Sequence, residues 1–162
     1  MLKTSDANAR QLHHRAQQRL GEPRPRFRPD PAQWHDLVER FLTASRSGDV
    51  AGLVMMLTAD VTSTADGGGK VAAARRPVVG RDRVARYLAS ALSRPLPDVQ
   101  LQFGVEVNGE PAVLGFTGSE LAGVLFFQTD GEQIAALRVV ANPDKLRFVA
   151  RQLSHRAGLS GP

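Results

Sequence analysis

The chain has no cysteine among its 162 residues, which excludes disulfides and thiolate metal sites and leaves no demand for an oxidising compartment. Long apolar runs are missing too: none approaches the roughly 18 residues of a membrane-crossing helix. The opening stretch MLKTSDANARQLHHRAQQRL lacks the apolar heart of a secretory signal, so the cytoplasm is the expected compartment. Histidines number four, and His13 and His14, being adjacent, point to different sides of a helix and do not chelate one metal together. The glycines at 67–69 lack the spacing and the following helix of a phosphate-binding loop. Neither a metal nor a cofactor is expected.

What is present is ordinary in amount and uneven in placement. Hydrophobic content of 42% and charged content of 23% suit one domain with a real core. Residues 1–30 hold seven basic residues against three acidic ones, so +4 of the net +5 lies in that arm. A basic arm on a nearly neutral domain points to an acidic partner, nucleic acid being the commonest; a solvated leader is the plainer alternative. Residues 5–20 are predicted helical, with Ser5 as N-cap, Asp6 in the first turn and a thin apolar row of Ala9, Leu12, Ala16 and Leu20. Gly21 ends this arm of residues 1–21. Residues 22–31, rich in proline and arginine, read as a semi-stiff linker, 32–154 as the folded domain and 155–162 as a tail.

The domain opens on a clean helical stripe: Trp34, Leu37, Val38, Phe41 and Leu42 recur at i, i+3, i+4, i+7 and i+8. Ser47, Gly48 and Asp49 break it and cap a second helix carrying Val50, Leu53, Val54 and Leu57. A short strand over 61–65, a hairpin-like turn over 66–70 and a returning extended segment over 71–79 come next. A third helix over 81–93 presents Val84, Tyr87, Leu88, Ala91 and Leu92 on one side. Then the period changes. Val99, Leu101, Phe103, Val105 and Val107 alternate with polar or small residues as a half-buried strand, and Asn108-Gly109 is a strong hairpin signal. Three more strands, near 112–116, 121–129 and 133–141, precede a last helix using Leu146, Val149 and Leu153. Consecutive hairpins are antiparallel, so a curved antiparallel sheet wrapped over helices is the economical solution. The fold class expected is α+β, an NTF2-like or SnoaL-like cone with an N-terminal helical arm.

Two segments, ADGGGK at 65–70 and NPDKL at 142–146, resemble signatures of the SnoaL-like C-terminal domain of SigJ-like extracytoplasmic-function (ECF) RNA polymerase sigma factors. RRPVVGRDRVARYL, VNGEPAVL and IAALRVVANPDKL are similar to that family in order and spacing. SDANARQLHHRAQQRL resembles the recognition helix of sigma region 4, and RPRF its joint to the SnoaL-like domain. The resemblance runs from about Ser5 to Leu153. It implies a C-terminal regulatory domain that modulates transcription initiation through intramolecular contacts with sigma regions 2 and 4 and their linker, beside RNA polymerase and promoter DNA in the full-length setting. Region 2, the linker and the rest of region 4 are not in this sequence, so a fragment, an engineered piece or a truncated relative is expected.

The resemblance assigns regulatory contact to Asp66, Gly67, Gly68, Gly69 and Lys70, facing the linker, and to Asn142, Pro143, Asp144, Lys145 and Leu146, serving the positive role in transcription. Local physics offers plainer readings. Three glycines suit any flexible turn, although they are more than a turn requires. Asn142 as N-cap, Pro143 at the first helical position and Asp144 against the helix dipole need no partner; Lys145 stays unexplained. By the same resemblance Asn8, Arg10 and Gln11 lie near base edges, with Arg15 and Arg19 toward phosphate. The alternative is a stand-alone SnoaL-like small-molecule-binding protein or an isomerase- or cyclase-type enzyme. Its pocket would be a cone mouth involving Trp34, Thr62, Thr64, Tyr87 and Arg138, and its bases Asp60, Asp66 or Glu106. No recognisable catalytic constellation unites these, so catalysis is not expected. A homodimer through the open sheet face is a further option that nothing forces.

Overall fold

The computed structural model describes residues 30–93 and 98–158. The arm, with its candidate DNA-contacting residues Asn8, Arg10, Gln11, Arg15 and Arg19, lies outside the described residues, as does the linker up to Pro29. Ten elements follow in order: α1 (Pro31–Ser47), α2 (Val50–Met56), β1 (Leu57–Asp66), β2 (Val78–Val79), α3 (Arg81–Leu92), β3 (Val99–Val107), β4 (Glu110–Thr117), β5 (Glu120–Asp130), β6 (Gln133–Val140) and α4 (Pro143–Gly158). The last helix continues past residue 154 into the stretch read as a tail.

Local chemistry sets the boundaries. Asp30 caps α1 by accepting from Ala32 N, with Pro31 at the first position, where a missing N–H is harmless. Gly48 ends α1 in the left-handed conformation (φ 70°), and the Asp49 carboxylate accepts from Gly52 N to start α2. The predicted stripe of α1 is buried from Trp34 to Leu42. On α2 only Leu53 is fully buried, and Leu57 already belongs to β1.

The sheet has six strands in the order β2-β1-β6-β5-β4-β3. It is mixed rather than purely antiparallel, because β1 runs parallel to β6 while the other pairings are antiparallel. Strands joined by tight turns are antiparallel; β1 and β6 are separated by α3 and four strands, which frees their direction. The extended segment expected over 71–79 pairs only at Val78 and Val79, opposite Ser63 and Thr62. Lys70 N and Val71 N both donate to Gly67 O (3.1 Å each), a tight turn that carries the chain away from β1.

Two apolar layers flank the sheet. Trp34, Phe41, Leu53, Val61, Val84, Val113, Phe127 and Ile134 fill the side under α1, α2 and α3. Val107, Ala112, Leu114, Val124 and Leu146 form a second core on the other side, closed by α4. β3 serves both. Leu101 and Phe103 pack with the first core, Val105 and Val107 with the second. The register slips by one residue between Gln102 and Val105, around Gly104 at φ 75°, and a one-residue bulge turns the following side chains to the opposite face.

Candidate functional site

The two matched segments meet. β1 ends at Asp66, whose carbonyl accepts from Ala141 N (2.8 Å), so the exits of β1 and β6 are stitched together. The Asp66 carboxylate takes Gly68 N on Oδ1 (2.9 Å) and Lys145 Nζ on Oδ2 (2.6 Å). In the reverse sense, Lys70 Nζ donates to Asp144 Oδ2 (3.0 Å). The turn's acid holds the helix's lysine and the turn's lysine holds the helix's acid. Arg147, one turn along α4, shares the Asp144 carboxylate through Oδ1. Lys145, which capping physics left unexplained, thus has a partner 79 residues away in sequence.

Charge follows geometry. The Lys145 hydrogen bond, then the Gly68 N–H, hold the Asp66 carboxyl below the ordinary carboxylate value. Lys70 does the same for Asp144, by hydrogen bond and then by charge. All four side chains are a third or more exposed, so solvent screens both pairs and their main effect is to fix geometry.

The glycines are not equivalent. A Cβ on Gly67 would lie 2.2 Å from Val71 O, and one on Gly68 2.5 Å from Asn142 Cγ; at Gly69 it would meet nothing within 4 Å. Gly68 and Gly69 also take positive φ (62° and 73°). Asn142 caps α4 as expected, its Oδ1 accepting from Asp144 N (3.1 Å). Leu146 anchors the helix in the second core at 5% exposure. Residues 66–70 and 142–146 therefore form one corner. Arg147 was missed, although its i, i+3 spacing to Asp144 was legible.

The expected cone-mouth pocket does not assemble. Trp34 is buried, donates Nε1–H to Phe127 O (3.3 Å), and shares its core with Tyr87. Thr62 and Thr64 alternate with buried Val61 and Ser63 and so face the other way. Arg138 lies opposite Thr64 on that second face, bonded to Glu110 Oε2 (2.8 Å) and 4.3 Å above the Phe126 ring. The sheet stands between the two groups, because pleating alternates side chains across it. The candidate bases are likewise dispersed: Asp60 is exposed on β1, Asp66 is ion-paired, and Glu106 borders a hollow with Asn108, Gln152 and His155 near the end of α4.

No protein-family model matches the chain. The ECF RNA polymerase sigma factor SigJ of Mycobacterium tuberculosis is 34% identical over 171 residues, covering 96% of this chain and 52% of that protein. A probable ECF sigma factor, SigI, of the same organism is 32% identical over 140 residues, covering 86% of this chain and 46% of that protein. The chain spans about half the length of these curated relatives. The crystal structure of M. tuberculosis SigJ superposes with a TM-score of 0.54 at 29% identity, covering 86% of this chain and 49% of that chain. An NTF2-like protein from Mesorhizobium loti shares the fold, with a TM-score of 0.53 at 14% identity, covering 70% of this chain and 96% of that chain. No helix among the described residues is long and apolar enough to cross a membrane. The chain belongs with the SigJ-like ECF sigma factors, and its described residues form a SnoaL-like domain of the NTF2 type.

Proposed function

We propose that this chain is the C-terminal regulatory domain of an ECF sigma factor and modulates transcription initiation through contacts with sigma regions 2 and 4 and their linker. RNA polymerase and promoter DNA are its partners within the full-length factor. The observation that carries the reading is the crossed ion pairing of 66–70 with 142–146. It makes one exposed surface from two distant segments and roots that surface in the core through Leu146. Such a surface modulates a partner by contact; it offers a reacting group no enclosed site. The test is in vitro transcription by the complete factor, with Asp66→Ala/Lys70→Ala and separately Asp144→Ala/Lys145→Ala. One shared surface predicts that both variants shift promoter output in the same direction. Unchanged output in both refutes the regulatory reading, and opposite shifts refute the single surface.

A further inference from the structure

We propose that this corner also binds single-stranded nucleic acid, through four arginines and one exposed aromatic ring. The corner's own carboxylates are ion-paired: Asp66 with Lys145, and Asp144 with both Lys70 and Arg147. Lys70 and Arg147 together outweigh Asp144, and Arg75 and Arg76 after the turn and Arg151 along α4 add to that surplus; the four arginines are all exposed. Residues 66–76 and 143–155 together hold six basic and two acidic residues, while the rest of 30–162 holds eight basic and twelve acidic. The domain is therefore polarised, and a polyanion is attracted to this corner and repelled elsewhere.

Arginine is suited to phosphate because its planar fork donates two parallel hydrogen bonds. Phe148 lies on α4 beside Arg147, three residues from both Lys145 and Arg151, and is 54% exposed. An aromatic face set among cations is the arrangement on which unpaired bases stack while their phosphates are neutralised. Arg75 and the turn line one open hollow of about 510 Å³. Duplex DNA keeps its bases stacked on one another and leaves Phe148 unused, which favours the single strand.

The test is fluorescence anisotropy of the full chain with labelled oligo-dT over a salt series. Arg75→Ala/Arg76→Ala/Arg147→Ala/Arg151→Ala should flatten the slope of log K against log salt by about 2.8, at about 0.7 per phosphate contact. Phe148→Ala should weaken binding about fivefold or more without changing that slope. Arg83→Ala/Arg86→Ala on α3 should change neither, and the basic arm contributes equally to every variant. Unaltered slope and affinity in the fourfold variant overturn the proposal. So does loss of polyglutamate binding with oligo-dT binding retained, which would assign the corner to an acidic protein instead. These readouts need no polymerase, so they fail or succeed independently of the regulatory reading.

Discussion

Gly68 is the sharpest place to test the corner. Alanine there puts a Cβ 2.5 Å from Asn142 Cγ, 2.6 Å from Oδ1 and 2.7 Å from Nδ2. It also forces an L-residue to hold φ 62°, which costs about 1–2 kcal/mol. If Asn142 swings aside, α4 loses its N-cap, worth about 1 kcal/mol. Gly68→Ala should thus destabilise by about 2–3 kcal/mol. Gly69→Ala, at φ 73° with open space around it, should show the conformational cost alone. The clash and the cap involve the same side chain, so they are not additive. In an Asn142→Ala background the obstructing atoms are gone, and Gly68→Ala should cost only about 1–2 kcal/mol, a coupling of about 1 kcal/mol. Urea unfolding of the four chains by circular dichroism, closed as a double-mutant cycle, measures this. Strict additivity, or a Gly68→Ala cost no greater than that of Gly69→Ala, refutes the contact between the turn and the helix cap.

The ion pairs predict a pH signature. Asp66 and Asp144 both titrate below their ordinary value of 3.8, so their contribution is complete above the unfolded value and is lost as pH falls through the folded one. Lys70→Ala/Lys145→Ala should destabilise the chain at neutral pH and converge on the parent from about pH 5 downward; parallel curves of stability against pH would contradict the pairing. The two faces of the sheet predict unequal costs. Phe41, fully buried and edge-on to Phe127, should cost about 3–5 kcal/mol as Phe41→Ala. Arg138, half exposed on the other face, should cost at most about 1 kcal/mol as Arg138→Ala, and equal losses in thermal unfolding would contradict the assignment of faces.

Elements whose partners are local were readable from sequence. The α1 stripe and the Asn108-Gly109 hairpin depend on periodicity and turn chemistry within a few residues, and both stand where expected. Alternation alone predicts a single buried face for β3, and the bulge at Gly104 divides it between two cores. One inserted residue is invisible to a count of alternation, although a glycine inside a strand is its usual mark. The β1–β6 pairing escaped for a different reason: parallel neighbours carry no turn signature. The corner was half legible. Asn142, Pro143 and Asp144 announce a helix start, whereas the ion pairs join residues 74 and 79 positions apart and no local rule connects them. A signal did exist in the charges, since each segment carries one Asp and one Lys free to complement the other. The cone-mouth residues are split because residue type carries no register, and register sends Thr64 and Arg138 away from Trp34.

The regulatory role proposed for the corner requires contacts that yield to a partner on a base that stays fixed. The corner sits where the parallel β1–β6 pair ends, with Asp66 opposite Val140, and where the chain leaves the sheet for α4. Gly67 is buried under the turn and Leu146 is buried under the helix, so neither segment moves without disturbing a packed layer. Gly68 is pressed against the residue that caps α4, so a partner that lifts the turn acts first on the helix start. A partner that draws on Lys145 or Asp144 acts in reverse on the turn. The links are exposed ion pairs, individually weak and open to exchange with a competing charge, while the anchors beneath them are apolar and fixed. Exchangeable contacts on a rigid base would let a partner's charge be sensed without unfolding the domain, as the proposed regulatory surface requires.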